Sequence, residues 1–145
     1  MKVDGGLRTI FSSGLSSGWH WQSVETGGTG LGVPDSNFCC GGIEGWVEYK
    51  QTDGWTCDLR PEQVGWITTR VMRGGRVFIA TRRVNEGGPR RGPAVDELWI
   101  HRGSLARELK RGGLRAAEPE LVCAGGPSCW DWEAVACTLL NKKNL

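Results

Sequence analysis

Pro34 and Asp35, followed by Glu48, Tyr49 and Lys50, are the residues here whose types and spacing could do chemistry. Two converging carboxylates are hard oxygen ligands. Mg²⁺ commonly takes one or two of them and fills its shell with waters and phosphate oxygens. An ammonium group on the same face could orient a water or offset charge on a phosphate. A metal held there would lower the pKa of its water and polarise a phosphoryl oxygen, so the chemistry would be phosphodiester hydrolysis. It needs no Ser–His pair, and none stands out.

Convergence depends on the elements. On a strand, Trp46, Glu48 and Lys50 share one face while Val47 and Tyr49 share the other. Glu48 and Lys50 then lie roughly 6–7 Å apart along the chain. Gly41 and Gly42 suit a two-residue hairpin turn, which needs positive φ. Folding there brings the strand that follows Asp35 back alongside and sets Asp35 near Glu48. The apolar Ile43, Trp46 and Val47 suggest a half-buried strand. These residues alone leave two readings open: a metal site, or a structural ion pair with Asp35 shaping a turn after Pro34.

The periodicity predicts a short helix over residues 7–11 and strands over 20–26, 36–40 and 43–51. Leu59, Val64, Ile67 and Val71 recur at helical steps, and Pro61 sits where its missing N–H costs nothing, so residues 60–73 form a helix. Gly74 and Gly75 end it. Residues 76–82, RVFIATR, form a buried strand. A Gly/Pro loop over 85–93 leads to a strand over 97–101. Ser104 caps a helix through Lys110, residues 116–128 are a loop, and a last helix covers 132–140. The strand–helix–strand step from Ile43 to Arg82 calls for a parallel crossover. The expected fold is one α/β domain over residues 1–145, with a mixed sheet of about five strands flanked by helices. Its core spans about residues 20–103, and a helical part follows over 104–145.

Net charge is only +2 across 145 residues, yet arginines crowd the middle of the chain: Arg70, Arg73, Arg76, Arg82, Arg83, Arg90, Arg91 and Arg102. Arg82, Arg83, Arg90 and Arg91 bracket the loop RRVNEGGPRR, which could follow a phosphate backbone; a solvated surface loop is the competing reading. No zinc-finger, homeodomain or RNA-recognition signature occurs, so base-specific readout is not expected. The six cysteines include no C-x-x-C pair, which argues for free thiols over zinc. The GGTGLG loop at 27–32 fits neither a Walker nor a dinucleotide pattern. Trp19, Trp21 and Trp55 are candidates for a dimer surface or for stacking on an unpaired base. With no long apolar run and no secretory pattern in MKVDGGLRTIF, an intracellular protein is expected.

Four pieces in order, GVPDSNF, GWVEYK, LRPEQVGWI and GGRVFIA, resemble the PD-(D/E)XK nuclease superfamily over roughly residues 20–82. Within it the likeness is to small phage-type nucleases and archaeal-type Holliday junction resolvases. The resemblance implies a restriction-endonuclease-like fold and Mg²⁺ as cofactor, with Mn²⁺ as a substitute. It makes Asp35 and Glu48 metal ligands, Lys50 catalytic and Gln63 a neighbour of the site. Glu25 is the candidate for a further acidic ligand from the N-terminal part. The implied substrate is branched DNA, most specifically a four-way junction. The implied assembly is a homodimer, whose two-fold axis would match two symmetric cuts. The chain lacks the basic N-terminal segment before a helical glutamate that the archaeal enzymes carry, which weakens junction specificity. A flap, nicking or restriction-like nuclease, or a non-catalytic DNA-binding module, is the alternative.

Overall fold

The computed structural model describes residues 4–24 and 31–141. Its elements are α1 (Leu7–Gly14), β1 (His20–Ser23), β2 (Ser36–Cys40), β3 (Ile43–Thr52), α2 (Pro61–Met72), β4 (Val77–Asn85), β5 (Val95–Arg102), α3 (Ala106–Gly112), β6 (Leu121–Cys123) and α4 (Trp132–Leu140). The strands form one six-stranded sheet in the order β1-β2-β3-β4-β5-β6. Only β3 and β4 pair in parallel; every other neighbour is antiparallel.

The hairpin is as the glycines dictate. Gly41 and Gly42 have φ of 58° and 81°, and Cys40 pairs with Ile43. That turn fixes the register, Ser36 lying opposite Val47. One step further along the ladder sets Asp35 across from Glu48. A slip of one residue would turn Glu48 and Lys50 onto the other face.

A hydrophobic layer covers each face of the sheet. Leu7 and Phe11 of α1 and Val135 and Leu139 of α4 pack on Val47, Tyr49, Phe78, Ala80, Leu98 and Ile100. On the opposite face Val64 and Ile67 of α2 and Ala106 and Leu109 of α3 pack on Val77 and Ile79. The continuous apolar run of β4 follows from this, since a central parallel strand is buried on both sides.

Several expected boundaries shift. A sixth strand, β6, lies inside the expected 116–128 loop and pairs with β5 from Leu98↔Cys123 to Ile100↔Leu121, so residues 104–145 are not purely helical. Three residues in a Gly/Pro-rich segment carry too little alternation to announce a strand; the free edge of β5 makes it. The 76–82 strand runs on to Asn85, which puts Arg82 and Arg83 on β4 instead of at the mouth of a loop. Ser104 lies in a short 3₁₀ turn, Gly103–Leu105, and makes no capping bond. All six cysteines are free. Among the described residues no helix is long and apolar enough to cross a membrane.

Candidate active site

Asp35, Glu48, Lys50 and Gln63 come together in one open cleft of about 500 Å³ beside the parallel strand pair. Period-2 alternation sends Glu48 and Lys50 to the α2 side of β3, while Val47 and Tyr49 enter the opposite core layer. Asp35 sits just before β2, where its Oδ2 accepts the Tyr49 N–H at 2.8 Å. That bond ties the carboxylate to the strand carrying Glu48 and Lys50.

Gln63, only 5% exposed, organises the other side. In the first turn of α2, its Oε1 accepts the Arg60 N–H at 2.9 Å and so satisfies one of the donors a helix start leaves open. The same oxygen accepts Lys50 Nζ at 2.9 Å, and Gln63 Nε2 donates to Glu48 Oε2 at 3.1 Å. One amide thus caps the helix, aims the lysine and holds the glutamate. Lys50 Nζ also stands 3.7 Å from Glu48 Oε2.

Glu48 is 2% exposed, and its Oε1 is buried without a hydrogen-bond partner. Burial, and then the neighbouring charge of Asp35, push its carboxyl up to about 8 against the pull of Lys50. The ionised form of Glu48 would be buried against a second carboxylate and is therefore disfavoured. Lys50, 3.7 Å away, and then Arg60 offset only part of that cost. The arrangement fits a hard divalent ion. Asp35 and Glu48 are oxygen donors, and among the described residues no N–H or O–H reaches Glu48 Oε1, while the protonated Glu48 carboxyl hydrogen-bonds Asp35. Among the described residues no group of three or more His, Cys, Asp or Glu gathers as a ligand set. Two carboxylates suffice for Mg²⁺ when waters and phosphate oxygens complete its shell.

Arg8, Asp4, Asp58 and Arg60 line the same cleft, and sequence reasoning passed over all four. Arg8 reaches from α1 to within 3.7 Å of Asp35 Oδ1. Asp4 holds the start of α1 by accepting the Gly6 N–H at 2.9 Å. The Asp4-to-Arg8 helical spacing was the available signal, but only the packing of α1 across the sheet shows where Arg8 points. Glu25 lies outside the described residues.

The expected basic loop divides differently. Arg82 forks onto Asp96 at 2.8 and 2.6 Å and donates to Gly5 O at 2.8 Å. Arg83 pairs with Glu97 at 3.0 Å and donates to Gly54 O at 2.8 Å. These two are held inside the β4–β5 ladder instead of standing free for phosphate. Arg90 and Arg91 remain on the exposed loop, Arg91 within 3.4 Å of Asp53. Arg76 is buried and donates to the Leu139 and Asn141 carbonyls at the end of α4. Trp19 is core, 8% exposed, and Trp21 packs on Phe11, Trp19 and Phe38. Arg83 and Arg115 each lie 3.8 Å from the Trp55 ring, which leaves neither face for a base.

No protein-family model, no curated protein and no solved structure matches this chain.

Proposed function

We propose that this chain is a Mg²⁺-dependent endodeoxyribonuclease on a restriction-endonuclease-like fold, with Mn²⁺ as a substitute metal. The observation that carries the reading is the buried carboxyl of Glu48. It hydrogen-bonds Asp35, is pushed up to about 8 and has an oxygen that no N–H or O–H among the described residues reaches, beside an ammonium group on the same strand face. Lys50 beside Glu48 and Arg8 beside Asp35, each at 3.7 Å, would also suit a structural ion-pair network, but they leave the Glu48 carboxyl pushed up to about 8 and its Oε1 with no N–H or O–H donor among the described residues.

Asp35 and Glu48 would hold the metal, which when bound supplies an acidified water and neutralises charge on the scissile phosphate. Lys50 offers its ammonium to the developing negative charge on the phosphate, and this stabilisation is strongest in a cleft with little competing water. Gln63 keeps that ammonium in place and fixes the Glu48 rotamer. Arg8, at the mouth, adds a cation for an incoming phosphate. Arg90 and Arg91, on the exposed loop, are further backbone contacts.

The substrate is branched DNA, with a four-way junction the specific choice, and the acting unit is a two-fold homodimer. Both follow from the sequence resemblance. The test is cleavage of a synthetic four-way junction beside a matched linear duplex, in Mg²⁺ and in EDTA. Paired symmetric nicks confined to the junction and lost in EDTA are the expected result. Equal cutting of both substrates would keep the nuclease and remove the resolvase. Cutting of neither would remove both.

A further inference from the structure

A second groove, of about 430 Å³, lies beside the candidate active site between residues 55–58 and the end of α3. Asp58 lines both depressions. The groove has its own cations. Lys110 and Arg111 line it, and Arg115 stacks on its Trp55 wall at 3.8 Å. All three side chains are exposed. None makes a salt bridge among the described residues, whereas Arg82, Arg83, Arg91 and Arg102 all do.

The groove is mechanically joined to the catalytic residues. Lys110 Nζ donates to Leu59 O at 2.6 Å. The N–H of that same peptide unit, on Arg60, donates to the Gln63 oxygen that receives Lys50. This relay keeps the two ammonium groups within about 11 Å of each other, given the fixed dimensions of a peptide. That separation is within the span of a few phosphates on one DNA strand. Trp55 pre-organises Arg115, because stacking uses the face of a guanidinium and leaves its in-plane N–H donors for a phosphate. Gly113, at φ 84°, lets the end of α3 lie flat on this wall; a Cβ there would stand 2.3 Å from the Trp55 carbonyl oxygen.

We propose that this groove is a phosphate-backbone site that holds a DNA strand a few phosphates from the bond cut beside Glu48 and Lys50. Lys110, Arg111 and Arg115 are its phosphate ligands. Contact is with backbone, independent of sequence. The placement of the cut rests on the nuclease reading above, whereas the binding does not.

The experiment is fluorescence anisotropy of labelled DNA in EDTA across a salt series. The proteins are wild type, Arg111→Ala, Arg115→Ala and a charge-matched control, Arg73→Ala, at the far end of α2. Each groove variant is expected to bind several-fold more weakly and to lower the slope of log affinity against log salt by about one, while the control keeps the wild-type slope. In Mg²⁺ the groove variants are expected to raise KM with kcat close to wild type. Groove variants that bind like Arg73→Ala overturn the proposal, whatever cleavage is seen. Loss of binding in the groove variants, with no cleavage by wild type, supports the groove and removes the nuclease reading alone.

Discussion

Glu48 is a buried carboxyl, 2% exposed, and its titration carries a thermodynamic consequence. Its carboxyl moves from an ordinary 4.5 to about 8, through burial first and Asp35 second. The folded protein therefore keeps a proton that the unfolded chain releases between those two values. The stability contributed by this group is complete below pH 4.5, declines through the window and is gone above about 8. Glu48→Gln removes the titration while keeping the shape. In EDTA, urea melts of the variant and wild type should agree near pH 4.5. The variant should gain steadily as pH rises, by about 1.4 kcal/mol per unit at most and by a few kcal/mol at pH 8. A difference that does not change with pH would show that Glu48 is not held this way. Mg²⁺ should raise the melting temperature of wild type at pH 8 and leave Glu48→Gln unmoved. The types of these residues were plain in the sequence, since Pro-Asp and Glu-x-Lys announce themselves. The burial of Glu48 against Asp35 and the Arg8 contact were not, because both depend on side chains from distant segments meeting across the sheet.

At the scale of elements, the site is a product of one hairpin and one helix start. Two glycines at positive φ set the β2–β3 register, which puts Asp35 and Glu48 together. The first turn of α2 delivers Gln63 to both Lys50 and Glu48. Gln63→Ala would remove the Arg60 N–H acceptor and strand a buried carboxyl and ammonium. A loss of about 1–3 kcal/mol in urea denaturation is expected, together with a roughly 10²-fold fall in cleavage rate from misplacement of Lys50. Gln63→Ala with wild-type stability and rate would mean that the amide is incidental. The hairpin, the parallel β3–α2–β4 step and the face carrying Glu48 were legible because glycine turns and period-2 alternation are local signals. β6 and the continuation of β4 through Arg82 and Arg83 were not. Their partners, Cys123 on Leu98 and Arg83 across from Glu97, are chosen by tertiary pairing, and a run such as RRVN followed by glycines looks like the start of a loop.

For the whole molecule, the sheet is a septum between two apolar layers, and the cleft opens where α1 and the α2 start approach β3. Phe11 is fully buried against Trp21, Tyr49 and Trp132, so it holds α1, and with it Arg8, over the cleft. Phe11→Ala should cost about 3–5 kcal/mol, seen as a large drop in melting temperature; a drop of only a degree or two would mean that α1 is not packed here. The tryptophans that suggested an outer surface in the sequence mostly serve these layers, as large aromatic side chains commonly do in cores. The central claim is that the cleft between α1, β3 and α2 hydrolyses DNA through its own side chains and a divalent ion. The most direct measurement is the single-turnover rate of DNA cleavage by wild type, Glu48→Gln and Lys50→Met in Mg²⁺ and in EDTA, with the fold of each checked by circular dichroism. Cleavage by wild type in Mg²⁺ alone, lost by roughly 10²-fold or more in both folded variants, is the predicted result. Cleavage that survives Glu48→Gln and Lys50→Met, or no cleavage by folded wild type on any DNA, would contradict it.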